Sequence, residues 1–72
     1  MAQSKVRSEI AGTVFKILVQ VGDRVVEEQA LIALESMKME IPVLTEVEGD
    51  VTTVDVTPGQ VLQAGDLIAT IA

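Results

Sequence analysis

The chain contains an internal repeat, and this feature limits its possible folds more than any other. Sliding the sequence by about 37 positions aligns Gly12 with Gly49, Val14 with Val51, Val19 with Val56 and Gly22 with Gly59. The same offset keeps apolar character at Ile17/Val54, Val25/Leu62, Leu31/Ile68 and Leu34/Ile71. Each half is too small to bury its own apolar face, so we expect the halves to pack about a pseudo-twofold axis. Residues 1–72 are therefore predicted to form a single domain.

The composition predicts an all-β fold. Val, Ile and Thr supply 24 of the 72 residues, and β-branched side chains favour strands. Turn-forming Gly, Asp and Pro residues cut the chain into short segments. The predicted strands run from Val6 to Ile10, Thr13 to Val19, Leu31 to Ser36, Met39 to Leu44, Val51 to Val56 and Leu67 to Ile71, with short extended pieces around Val25 and Leu62. Because Val14 and Ile17 cannot share a face of a regular strand, we expect a bulge between them.

Composition also excludes several classes of function. The chain has no Cys and no His, which rules out disulfides, zinc fingers and nucleophilic Cys or His chemistry. Its net charge is −6 and Phe15 is its one aromatic residue, so nucleic-acid binding is not expected. The longest apolar run, Ala30 to Leu34, is far shorter than the roughly 18 residues of a membrane span. The sequence predicts a soluble, cytoplasmic protein without a signal peptide or a metal site.

The segment from Glu35 to Pro42 carries the sharpest chemical signal. Its sequence is Glu-Ser-Met-Lys-Met-Glu-Ile-Pro, and it lies between two predicted strands. A tight hairpin with Met37 and Lys38 at its tip would expose the lysine amine. An exposed lysine performs no chemistry alone, but another enzyme can acylate it and so attach a cofactor. We therefore predict that Lys38 is a modification site.

A plainer interpretation is that Lys38 is an ordinary surface lysine and that the methionines fill the core. Most surface lysines are uninformative, and methionines usually pack inside proteins. Met37 and Met39, however, flank the lysine at a predicted turn, where core residues are not expected. Their flexible, polarisable side chains suit an exposed surface that another protein must bind.

With these residues the chain resembles the biotinyl domain family, the biotin carboxyl carrier modules of biotin-dependent carboxylases and decarboxylases. The family hallmark is Met-Lys-Met after Glu-Ala or Glu-Ser, which stands here as Glu35-Ser36-Met37-Lys38-Met39. The similarity covers nearly the whole chain and includes the Gly-Asp pairs at 22–23 and 65–66. The resemblance implies a flattened antiparallel barrel, or sandwich, of two four-stranded sheets with pseudo-twofold symmetry.

The resemblance also implies the function. Lys38 would receive biotin in amide linkage from a biotin protein ligase, and the biotin would carry a carboxyl group between biotin carboxylase and carboxyltransferase components. The domain itself would be a carrier, not an enzyme. We predict that the ligase and these partners recognise the surroundings of the lysine: Glu35, Ser36, Met37, Met39 and Glu40.

The sequence departs from the family pattern at two points. Glu28 stands where the second half has Gly65 and where the family often has glycine, which predicts a non-glycine residue at positive φ. No insertion separates Val19 from Val25, so the protruding thumb loop of some carrier domains is absent.

Two alternative functions remain open at this stage. A lipoyl carrier shares the fold and the lysine, but it usually has an acidic residue before the lysine and a small one after it. Met37 and Met39 do not fit that pattern. An unmodified β-domain could instead use the methionines in a protein interface. The intact mass of the protein distinguishes biotin, lipoate and no adduct.

Overall fold

The computed structural model describes residues 3–72, which contain eight short strands. They are β1 (Ser4–Arg7), β2 (Gly12–Ile17), β3 (Arg24–Val25), β4 (Ala30–Ser36), β5 (Met39–Leu44), β6 (Gly49–Val54), β7 (Val61–Leu62) and β8 (Leu67–Ile71). The predicted set of strands is confirmed, with shifts at some ends. β1 stops before Ser8, whose hydroxyl donates a hydrogen bond to the carbonyl of Ile10 and favours a turn.

The strands form two four-stranded antiparallel sheets. One sheet has the order β1-β8-β6-β3 and the other β5-β4-β2-β7. The long strands β4 and β8 lie inside their sheets, where each pairs with a neighbour on both sides. The predicted all-β fold with two four-stranded sheets is confirmed.

A constant offset of 37 residues relates the two sheets. The pairing of Leu34 with Ile41 in one sheet recurs as Ile71 with Ser4 in the other. The hydrogen bonds in the turns repeat as well. The Glu28 N–H donates to the Thr45 carbonyl at 2.8 Å, and 37 residues later the Gly65 N–H donates to the Ser8 carbonyl at 2.7 Å. The predicted pseudo-twofold arrangement is therefore confirmed.

The core lies between the sheets and draws on both halves equally. Its apolar members that are at most 1% exposed are Val14, Val25, Leu31, Ile32, Leu34, Val51, Leu62, Ile68, Ala69 and Ile71. The predicted bulge is also found, because the pairing of β2 with β4 shifts register between Val14 and Lys16. The bulge buries Val14 and turns Phe15 outward, where its side chain is 52% exposed.

Candidate functional site

The predicted hairpin at residues 36–39 is present. Strands β4 and β5 pair in regular register from Ile32 with Val43 to Ser36 with Met39, the last pair before the turn. Met37 and Lys38 form the two-residue turn between them. Lys38 therefore lies at the outermost point of the hairpin, as the sequence predicted.

The turn holds both of its central residues in an unusual backbone conformation. Met37 has φ 53° and Lys38 has φ 64°. Positive φ at both positions is what a type I′ hairpin turn requires, and Asn-Gly is the usual sequence there. A residue with a Cβ is destabilised by roughly 1–2 kcal/mol when its backbone adopts this region of φ. The hairpin thus maintains a strained tip, and such strain is typical of functional sites.

The base of the hairpin is firmly anchored. Residues 31–34 of β4 are all buried, and Leu34 is paired with Ile41 of β5 two residues from the turn. Since β4 is also paired with β2, the strand that leads into Met37 has partners on both sides. The strands therefore fix the position of the Lys38 backbone, while its side chain extends into solvent.

The side chains around Lys38 are exposed. Met37 is 91% exposed and Met39 64% exposed, so neither fills the core. Within residues 3–72, no carboxylate lies within the 4.0 Å ion-pair distance of the Lys38 amine. The site consequently presents a cation between two apolar side chains, all accessible to a second protein.

Two acidic residues face each other behind the tip. Glu35 and Glu40 are direct cross-strand partners, and both are exposed. Like charges in this arrangement disfavour the pairing. The Lys16 amine lies 3.7 Å from the Glu40 carboxylate and offsets part of this repulsion, although an exposed pair of this kind contributes little. The surface beside the tip is therefore acidic.

Gly12 supports the hairpin, and the sequence did not identify it as a site residue. A Cβ built at Gly12 would lie 3.1 Å from the backbone oxygen of Glu35 and 3.7 Å from the Ser36 side chain. The close approach of β2 to the end of β4 therefore depends on the missing side chain. The sequence feature that could have identified Gly12 is its alignment with Gly49 in the repeat, because Gly49 approaches the Ala72 backbone as Gly12 approaches that of Glu35.

Lys38 does not belong to a cleft that could serve as its own active site. The open groove between edge strands β1 and β5 is lined mainly by residues 4–10 and 41–47, and it does not reach the turn. In residues 3–72, three or more acidic side chains nowhere converge to hold a metal ion. This part of the chain also has no helix with the length and apolar character needed to cross a membrane. The arrangement suits presentation of the lysine to other proteins.

The chain is similar to several proteins of known character. It is 52% identical over 67 residues to the biotinylated protein TB7.3 homolog of Mycobacterium leprae, covering 93% of this chain and 94% of that protein. It is 42% identical over 71 residues to a biotin carboxyl carrier protein of Streptococcus mutans, covering 99% of this chain and 55% of that protein.

Among solved structures, the chain resembles the urea carboxylase of Kluyveromyces lactis, with a TM-score of 0.93 and 32% identity. The match covers 100% of this chain and 6% of the carboxylase, so the similarity concerns one small part of that enzyme. Residues 3–71 match the Biotin_lipoyl family, described as biotin-requiring enzyme. The chain therefore belongs to this family.

Proposed function

We propose that Lys38 is the residue to which biotin is covalently attached and that the chain is a carboxyl carrier. The observation that supports this most directly is the exposed Lys38 amine at the tip of a strained two-residue turn, on a hairpin anchored in the core. Exposure makes the amine accessible to a ligase. The rigid hairpin fixes the point from which the attached group extends.

The proposed attachment is an acyl transfer to the lysine. After losing a proton to solvent or a base on the ligase, the Lys38 amine attacks the activated carboxyl carbon of biotin. The new C–N bond completes an amide as the bond to the activating group breaks. Nothing in this chain needs to activate the carboxyl group, because the ligase does so. The carrier supplies only the nucleophilic amine and the surface that identifies it.

The recognition surface is formed by Glu35, Ser36, Met37, Met39 and Glu40. A lone ammonium on a flexible stem does not distinguish one lysine from another. Met37 and Met39 provide adaptable apolar contacts on both sides of Lys38. The acidic pair Glu35 and Glu40 suits partners with basic docking surfaces.

In the proposed cycle, a biotin carboxylase component loads a carboxyl group and a carboxyltransferase component removes it, in the cytoplasm. Attached biotin supplies the group that carries the carboxyl. The chain contributes proximity, since tethering replaces diffusion with a high local concentration at two successive sites. Similarity to a biotin carboxyl carrier protein and to part of a carboxylase supports this cycle.

Co-expression with a biotin protein ligase tests the proposal. We expect the intact mass to rise by one biotinyl group and peptide mapping to place it on Lys38. Lys5 and Lys16 are the internal controls, because both are exposed but lie outside the turn. Biotin on either of them, a lipoyl adduct, or an unmodified Lys38 with active ligase and excess biotin would contradict the proposal.

A further inference from the structure

The pseudo-twofold symmetry allows an exposed residue in one half to be compared with the residue at the equivalent position of the other half. If a position needs an apolar side chain for folding, its equivalent 37 residues away should need one too. Ile10 and Val47 meet this expectation, because they are apolar in both halves. A position that is apolar and exposed in one half but polar in the other indicates a requirement beyond the fold.

Four exposed apolar residues of the first half have polar equivalents in the second. One is Phe15, which the bulge in β2 turns outward and whose equivalent is Thr52. The other three lie at or just after the ends of strands β2, β3 and β5. Leu18 is 46% exposed, Val26 59% and Leu44 45%. Their equivalents are Asp55, Gln63 and Arg7 respectively. The fold therefore accepts polar side chains at these positions, and the apolar ones are not explained by packing.

The backbone environments of these pairs match closely. The Leu18 N–H donates to the Leu31 carbonyl at 2.9 Å, and the Asp55 N–H donates to the Ile68 carbonyl at 2.8 Å. The same holds at the other two positions: Leu44 pairs with Ala30 as Arg7 pairs with Leu67, and the N–H groups of Val26 and Gln63 both donate to a side-chain oxygen three residues ahead. The difference thus lies in the side chains and not in the local structure.

These apolar residues lie at one end of the β5-β4-β2-β7 sheet together with three acids. Glu27 and Glu28 follow Val26 in the turn before β4, and the Glu28 N–H bonds to the Thr45 carbonyl. That bond brings the turn against the end of β5, where Glu46 follows Thr45. We call the six residues Leu18, Val26, Glu27, Glu28, Leu44 and Glu46 the end patch.

The end patch is separate from the Lys38 turn. Ala30, paired with Leu44 beside the patch, begins β4, and Ser36 at the other end of β4 leads into the turn. A strand of seven residues places the two sites roughly 20 Å apart. A partner bound at the patch would leave Lys38 free to move its attached group.

We propose that the end patch docks the carrier on a biotin carboxylase component, through an apolar surface flanked by Lys and Arg. Charge complementarity supports this choice. Within residues 3–72, none of the three patch glutamates lies within ion-pair distance of a Lys or Arg of this chain. A basic rim on the partner would neutralise them. A second copy of the chain is a poor fit, because a twofold interface would bring six carboxylates together.

The inference rests on the proposed carrier function, and a variant built from the second half tests it. The triple variant combines Leu18→Asp, Val26→Gln and Leu44→Arg. Each position then carries the residue found at its equivalent in the second half. The probe is the purified biotin carboxylase of the source organism with ATP and bicarbonate, acting on fully biotinylated carrier. We expect KM for the carrier to rise about tenfold, with kcat, the melting temperature and the ligase rate at Lys38 little changed. Val21→Gln, at a 64% exposed apolar residue outside the patch, should have no effect.

The possible outcomes separate the two proposals. An unchanged KM in the triple variant, while the wild-type carrier is carboxylated normally, would overturn the end patch alone. A melting temperature lowered in the triple variant but not in Val21→Gln would assign the apolar residues to folding and overturn it too. Sedimentation showing a wild-type dimer that the triple variant loses would identify a second copy as the occupant. A wild-type carrier that the enzyme cannot carboxylate would overturn the carrier function and the end patch together.

Discussion

Glu28 and Gly65 occupy the same turn position in the two halves, and both have positive φ, 68° and 95° respectively. The Glu28 N–H donates to the carbonyl of Thr45, which follows β5, and the Gly65 N–H donates to the equivalent carbonyl of Ser8, which follows β1. The sequence-based prediction that Glu28 lies at positive φ is therefore confirmed. The repeat thus identifies a glutamate that adopts a backbone conformation usually found in glycine.

Glu28→Gly should stabilise the fold by up to about 1 kcal/mol. Removing the Cβ relieves the cost of positive φ, although the greater freedom of glycine in the unfolded chain cancels part of the gain. Chemical denaturation measures the change in the free energy of unfolding. The matched control is Gly65→Glu, which should destabilise the protein because it introduces the same strain. A loss of stability in Glu28→Gly would show that the glutamate side chain stabilises the turn.

Lys38→Ala should abolish biotinylation while changing the free energy of unfolding by less than about 0.5 kcal/mol. The side chain is exposed, and both residues have a Cβ, so the strain of the turn is the same. Lys38→Gly should also lose labelling but gain stability, because glycine favours positive φ. Denaturation and labelling with purified ligase check both variants. A large loss of stability in Lys38→Ala would reveal a structural role for the lysine.

Replacing Met37 with Asn and Met39 with Gln should preserve the fold and slow transfer of the carboxyl group. Both methionines are mostly exposed, and Asn tolerates the positive φ of residue 37. Loss of apolar contacts at the tip should also slow biotinylation. The two rates are measured separately, with purified ligase and with free carboxylase components. Val21→Gln is the control, since Val21 is 64% exposed but lies outside the turn. If the double variant is biotinylated and transfers the carboxyl group as fast as the wild-type protein, the methionines are not needed and the hairpin geometry alone accounts for recognition.

Gly49→Ala should destabilise the protein by at least about 2 kcal/mol, and more than Gly12→Ala. A Cβ at Gly49 would collide with the backbone oxygen of Ala72, and its φ of 152° is one that alanine rarely adopts. Gly12 has a milder conflict with the Glu35 oxygen at 3.1 Å. Thermal unfolding of both variants gives the order. Gly12→Ala should in addition reduce the biotinylation rate, because it displaces the end of β4. Equal losses of stability in Gly49→Ala and Gly12→Ala would contradict the geometric comparison.

Much of the fold followed from local sequence patterns. Turn residues at regular intervals and β-branched segments between them predicted eight strands. The spacing of the repeat predicted two halves related by a pseudo-twofold axis, and the family resemblance implied the two four-stranded sheets. The Met-Lys-Met segment predicted an exposed hairpin tip at Lys38. These features were readable because strand formation and tight turns depend on residues that are neighbours in the chain.

The sequence by itself determined the all-β class, the repeat and the position of Lys38 in a turn. Tertiary structure alone decided that the bulge buries Val14 and exposes Phe15, and that Gly12 lies against the Glu35 backbone. It also brought the turn at Val26 against the end of β5 to form the end patch. These relationships depend on the register between strands far apart in the chain, and a one-residue shift in register exchanges the two faces of a strand. Local alternation does not specify that register, because packing of the two halves against each other sets it.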